Sequence, residues 1–234
     1  MKKKPAHQVR QYKTYRAMPW RNGHGITLEI AREPARGEEF AWRLSLADID
    51  TDGEFSAYPG YRRALVLVAG TALQLRFRGH GNCVLDPSSR GARFEGDWAT
   101  HCAIPKGRCT DLSLIVRKGL AAAPASVVRA PKILHLKSSG HVALAANLYG
   151  ALFVLEGAVA VTVSIGDRPR IVHARDTLLL SAGSRRMLTV RNLERSAAQL
   201  VFLSWRPGRR ARADRLSGPS GPGGGDDDFD PVRR

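Results

Sequence analysis

Cysteine is scarce in these 234 residues: Cys83, Cys102 and Cys109 are the whole complement, and no two stand in a Cys-x-x-Cys pair. An odd number at such spacings offers neither a disulfide framework nor a structural zinc site, and it suits a reducing compartment. Long apolar runs are missing too. The most membrane-like stretch, Val142 to Leu155, has 14 residues, is interrupted by Asn147 and Gly150, and ends at Glu156-Gly157. That is too short for a bilayer span and reads as buried core. The basic N-terminus MKKKPAHQVRQYKTYR has no apolar stretch behind it, so no secretory signal is legible. These absences point to a cytoplasmic protein with no membrane partner. No segment sustains a 3.6-residue period, so helix should be scarce. Nor is there a G-x-S-x-G, a P-loop or a full G-x-G-x-x-G motif.

Acid is in short supply as well, with 21 Asp and Glu against 37 Lys and Arg, a net charge of +16. Residues 1–16 hold six cations and no acid, and residues 206–215 hold five cations and one acid, so much of the excess sits near the ends. Such a field attracts anions of every size. No recognition helix, zinc finger or RNA-binding motif accompanies it, so nucleic acid is not the expected partner. The remainder is ordinary globular composition, 43% hydrophobic and 25% charged. It is long enough to bury a core without staples.

What is present is a series of short strands punctuated by Gly and Pro. Leu73 to Arg78 and Val159 to Ile165 alternate apolar and polar, as half-buried strands do, while Ala64–Val68 and Thr177–Leu180 are continuous apolar runs. There is also an internal repeat. Ala64-Leu-Val-Leu-Val-Ala-Gly70 and Ala151-Leu-Phe-Val-Leu-Glu-Gly157 each precede an alternating strand. Each half then has an acidic turn, at Asp97 and Asp176, and closes on a similar strand near 111–119 and 199–208. Two copies of an all-β unit suggest a pair of jelly-roll barrels. The expected division is a weakly ordered basic segment over 1–18, a first barrel over 19–119, a connection over 120–126, a second, degenerate barrel over 127–208 and a disordered tail over 209–234. The tail, SGPSGPGGGDDDFDPVRR, has almost no aliphatic surface to bury.

Residue types that carry chemistry concentrate in the first half. In Pro19-Trp20-Arg21-Asn22-Gly23-His24-Gly25 the glycines allow close backbone approach, Asn22 offers a donor and an acceptor, and Trp20 offers an apolar wall. Phe40 to Ala47 alternates strictly: Trp42, Leu44 and Leu46 share one face, Arg43, Ser45 and Ala47 the other. That second face is either solvent or the lumen of a barrel, where Arg43 beside Ser45 would suit a carboxylate. Asp48-x-Asp50-x-Asp52-Gly53 begins like a calcium loop, but position 12 is Pro59, so a polar turn into Phe55-Ser56 is expected instead.

PWRNGHGITLEI (19–30), FAWRLSLADIDTDGEFSAYPGYRRALVLVAG (40–70) and FEGD (94–97) followed by G-x-x-x-D (107–111) resemble the HutD/Ves family. The resemblance implies an all-β bicupin, two jelly-roll β-barrels from an internal duplication, associated with histidine utilisation or stress. Metal cupins carry G-x5-H-x-H-x(3,4)-E-x6-G; with Gly70 as the final glycine, the glutamate position falls on Arg63, and no His lies between His24 and His80. The later histidine position falls on Thr110, beside Asp111. A cation in place of a carboxylate repels a divalent ion and suits an anion. The expectation is therefore a metal-free, cofactor-free barrel binding a small carboxylate, for which the resemblance implies an acid of histidine breakdown such as formylglutamate or urocanate. The residues expected to hold it are Trp20, Asn22, Arg43, Ser45, Ser56, Arg63 and Asp111, with Asp111 and Asn22 orienting the guanidinium groups. A metal-independent enzyme acting on a small acid with Asp111 or His101 as general base is the first alternative, and nucleic-acid or protein interaction through the basic ends the second. Cupin-like sheets often pair across subunits, which leaves room for a homodimer.

Overall fold

The computed structural model describes residues 6–20, 25–34, 39–89, 91–119, 126–164 and 166–208. Every regular element among them is a strand, apart from one 3₁₀ turn at Tyr12–Thr14. No helix of the described residues is long and apolar enough to cross a membrane. The expected connection falls almost wholly outside the described residues, and the expected tail does so entirely.

The strands form four antiparallel sheets. In the first half a six-stranded sheet runs in the order Arg16–Pro19, Gly25–Glu33, Trp42–Ile49, Cys109–Arg117, Tyr61–Ala69, Gly91–Glu95. Its companion has Gly53–Glu54, Thr100–Ala103, Leu73–Phe77 and Gly81–Leu85. The second half repeats the plan. Lys132–Leu136, Ala198–Arg206, Tyr149–Glu156 and Thr177–Leu180 are neighbours in one sheet, and Ser139–Leu144, Arg186–Asn192, Ala158–Thr162 and Arg170–His173 make the other. The repeat seen in the sequence has a backbone counterpart. Gly70 and Gly157 both turn with positive φ, +98° and +86°. Each follows a register shift between its strand and the last strand of its half, at Thr110/Asp111 in one and Val154/Glu156 in the other. Only glycine takes such angles without cost.

The two six-stranded sheets pack face to face. Trp42, Leu44 and Leu46 from one strand meet Phe153, Val201, Leu203 and Trp205 from the other half in a single buried cluster. The alternation of Phe40 to Ala47 therefore resolves in favour of the lumen: its apolar face covers the neighbouring barrel, and Arg43, Ser45 and Ala47 turn inward.

One expectation needs correction. Weak order is the expectation for 1–18; residues 1–5 lie outside the described residues, and within 6–18 His7–Arg10 is an edge strand paired with Thr177–Leu180 of the second half, while Arg16–Pro19 pairs with Gly25–Glu33 of the first. The cause is a set of contacts distant in sequence. The Tyr15 hydroxyl donates to the Arg175 carbonyl at 2.7 Å and meets Thr177 Oγ1 at 2.7 Å. The Tyr12 amide donates to Asp176 Oδ1 at 2.8 Å, and the Arg175 guanidinium lies 3.9 Å above the Tyr12 ring. The N-terminal segment thus straps the two halves together before it enters the first barrel.

Gly70 supplies a direct check. A Cβ there would lie 2.8 Å from Cys109 Sγ, on a backbone with positive φ, whereas one at Gly53 meets nothing within 4 Å. Denaturant unfolding should show Gly70→Ala destabilised by about 2 kcal/mol or more, and Gly53→Ala nearly neutral.

Candidate functional site

The first barrel holds a cavity of about 640 Å³. Its floor is the inward face of the central strands, where three cross-strand rows follow the antiparallel register. Arg43 lies opposite Ile115 and Ile115 opposite Arg63; Ser45 lies opposite Ser113; Ala47 lies opposite Asp111. Trp20, Arg43, Ser45, Ser56, Arg63 and Asp111 all contribute to its lining. Asn22 lies outside the described residues. Trp20 is fixed as a wall by its own neighbours: its Nε1 donates to Thr27 Oγ1 at 2.8 Å, and its ring lies so near Gly25 that a Cβ there would stand 2.9 Å away.

Arg63 is only 7% exposed. Its guanidinium lies 4.9 Å from the Phe94 ring centre, 5.1 Å from Phe55 and 5.6 Å from Tyr58, and its Nη1 donates to the Ser56 carbonyl at 3.3 Å. Aromatic faces offset part of the lost hydration of a cation. Burial brings the guanidinium down to about 10, with Asp111 and Tyr58 opposing the fall and Arg43 adding to it. It stays charged at neutral pH. Arg43 donates from Nη2 to the Tyr58 hydroxyl at 2.7 Å and lies over the Tyr58 ring at 5.2 Å. Asp111 is 2% exposed, and its Oδ1 has no hydrogen-bond partner. Burial lifts its carboxyl to about 7; the Arg63 charge opposes that rise and Asp48 adds to it. Asp111 therefore acts on Arg63 through the field, while the Ser56 carbonyl makes the direct hydrogen bond.

The alternatives raised from sequence find other settings. His101 is not on the cavity wall; its Nδ1 sits 3.3 Å from Glu54 Oε1 at the sheet edge, with Glu54 alone of the two reaching the lining. The acids of 48–54 serve turns and edges: Asp48 accepts from Thr110 Oγ1, Asp52 from the Ile104 amide, and Asp50 pairs with Arg108. Burial pushes the Cys102 thiol up to about 12, the opposite of an activated nucleophile. The donor set does not suit a metal ion either. Among the described residues no three His, Cys, Asp or Glu side chains gather as a metal site, and two guanidinium groups face this cavity. Tyr58, Phe55 and Ser113 were missed as lining. Tyr58 and Phe55 belong to an irregular stretch, which periodicity does not read; Ser113 alternates with Asp111 on the same strand, and that signal was available.

Among the described residues the second half has no counterpart to this lining. In the shared register Gly150, Leu200 and Phe202 stand where Arg63, Asp111 and Ser113 stand in the first. Leu200 and Phe202 join Leu152, Val154 and Val159 in an apolar core.

An all-β chain with face-to-face barrels and an arginine-lined cavity in one of them is a cupin-like protein. The HutD family model matches residues 12–198, and the chain belongs to that family. Solved structures agree. A conserved Pseudomonas aeruginosa PAO1 protein of unknown function is similar at 26% identity and TM-score 0.74, covering 86% of this chain and 98% of that one. HutD from Pseudomonas fluorescens SBW25 is similar at 25% identity and TM-score 0.66, covering 87% and 100%. An uncharacterized 21.2 kDa Pseudomonas putida protein from the hutC 3′ region is 37% identical over 109 residues, 46% of this chain and 57% of that protein. Protein Ves of Escherichia fergusonii is 43% identical over 68 residues, 28% and 36% respectively. The matched stretches thus span about half or less of these curated relatives. The solved relative named HutD and the relative from the hutC 3′ region associate the family with histidine utilisation.

The raised Asp111 carboxyl has a pH consequence. An unfolded aspartate titrates near ~3.9. Between there and about 7 the folded chain keeps a proton that the unfolded chain has lost. This residue's contribution to stability therefore falls as pH rises through that window and is flat above it. The melting temperature of Asp111→Asn minus that of the parent should grow by several degrees from pH 4 to pH 7, read by calorimetry, and then level off.

Proposed function

We propose that the chain binds a small carboxylate in the first-barrel cavity and so regulates or buffers histidine utilisation. The observation that carries this reading is the pair Arg43 and Arg63 on one cavity, each making its hydrogen bond to a neutral oxygen, the Tyr58 hydroxyl and the Ser56 carbonyl. A guanidinium offers parallel donors that match the two oxygens of a carboxylate. Partial desolvation strengthens that attraction. Ser45 and Ser113 add hydroxyls deeper in the wall. Formylglutamate and urocanate are the acids to try first, on the strength of the family. The same reading places the protein in the cytoplasm, assigns it no cofactor and accommodates a homodimer.

Titration calorimetry with both acids tests the proposal. We expect saturable binding that tightens as pH falls from 8 towards 6, because a protonated Asp111 no longer competes for Arg63. Arg63→Lys should weaken it about tenfold and Arg63→Met about a hundredfold, in line with charged hydrogen bonds of ~1.5–3 kcal/mol. Folded protein that binds neither acid at millimolar concentration would defeat it.

One observation favours a second reading. Asp111, buried on the cavity and lifted to about 7, is poised as a general base. Arg63 would then stabilise a developing oxyanion. Turnover of a pathway acid that disappears in Asp111→Asn while binding persists would distinguish catalysis from capture.

A further inference from the structure

We infer a second binding site, for a single-ring aromatic carboxylate, in the slot where the two halves meet. The slot measures about 160 Å³ and draws its walls from three segments: Trp42 from the first half, Tyr149 and Trp205 from the second, and Gln8 and Arg10 from the N-terminal strand. A cavity of roughly 150 Å³ accepts a benzene ring.

The walls select the ring. Tyr149 stacks on Trp205 with centroids 5.9 Å apart and planes 13° from parallel, and Trp42 meets Trp205 edge-on at 5.1 Å and 65°. Three aromatic side chains around a ring-sized space favour a flat guest over a branched one. The polar atoms select the charge. Trp205 is fully buried, and its Nε1 has no hydrogen-bond partner; Arg10 Nε is likewise buried without one. Buried N–H groups without acceptors are costly, and an incoming oxygen relieves them. Arg10 lines the slot, as do Arg32, which donates from Nε to the Pro34 carbonyl and from Nη2 to the Glu39 carbonyl, and one acid, Glu33, which is engaged by the Tyr149 hydroxyl, so Arg10 is the cation that faces a guest. A carboxylate on a small ring meets both requirements. Because the slot joins strands of both halves to the N-terminal strap, occupancy would also tighten their packing.

Calorimetry with benzoate as the probe tests this on the full chain and on Arg63→Met, in which the first cavity keeps only Arg43 and should hold a carboxylate about a hundredfold more weakly. The slot should bind one benzoate with equal affinity in both, and in Arg63→Met it should be the one site that saturates. Trp205→Phe and Arg10→Gln should each weaken binding about tenfold, and benzyl alcohol and acetate should bind at least about tenfold more weakly than benzoate. Arg10 lies on an edge strand, so Arg10→Gln remains informative if Trp205→Phe folds poorly. Absence of saturable binding at about 20 mM benzoate would overturn the inference. So would binding that vanishes in Arg63→Met and is unchanged in Arg10→Gln, which assigns benzoate to the first cavity. Failure of the slot leaves the reading of that first cavity standing, and the converse holds.

Discussion

A cation buried among aromatic rings and facing a carboxylate without a full complement of hydrogen bonds is the feature on which the first barrel turns. Burying Arg63 removes it from water, and three rings and the Ser56 carbonyl only partly replace what is lost. Asp111 supports the Arg63 charge through the field, and that charge in turn restrains the rise that burial gives the Asp111 carboxyl. Removing one partner of such a pair leaves the other uncompensated, which is more damaging than losing the attraction itself. A guest that brings its own negative charge relieves this tension, so the most strained part of the lumen is also its most receptive part.

The two halves divide the work. Four strands of each larger sheet and all four of each smaller sheet follow the same order, down to the glycine after the repeat and the register shift beside it. Their lumens do not. Leucine and phenylalanine fill in the second half what aspartate and serine leave open in the first. A polar, open lumen lowers the stability that its own barrel can supply, and a closed, apolar one raises it. The shared cluster built on Trp42, Phe153 and Trp205 ties the open barrel to the closed one, and the N-terminal strap adds hydrogen bonds across the same junction.

Much of this was legible in the residues. Strict alternation from Phe40 to Ala47 put Arg43, Ser45 and Ala47 on one face, and counting back from Gly70 singled out Arg63. The first inference uses only the period of a strand; the second lays the metal-cupin motif, which the family resemblance implies, over the sequence. What period could not supply was which face met water; that depended on a neighbouring barrel covering Trp42, Leu44 and Leu46. The order of the N-terminal segment was hidden for a related reason. His7–Arg10 is short and charged, and what holds the segment is Tyr12 and Tyr15 reaching residues more than 150 positions away. Tyr58 and Phe55 escaped because irregular backbone carries no period, although they are two of the three rings around Arg63.

Electron density for the chain crystallised with formylglutamate is the most direct measurement of the central claim. The account predicts a planar carboxylate in the first-barrel cavity, in hydrogen-bond contact with the Arg63 guanidinium and within reach of Arg43. A coordinated metal ion there, an Arg63 side chain turned to bulk water, or a ligand seated away from both arginines would contradict it.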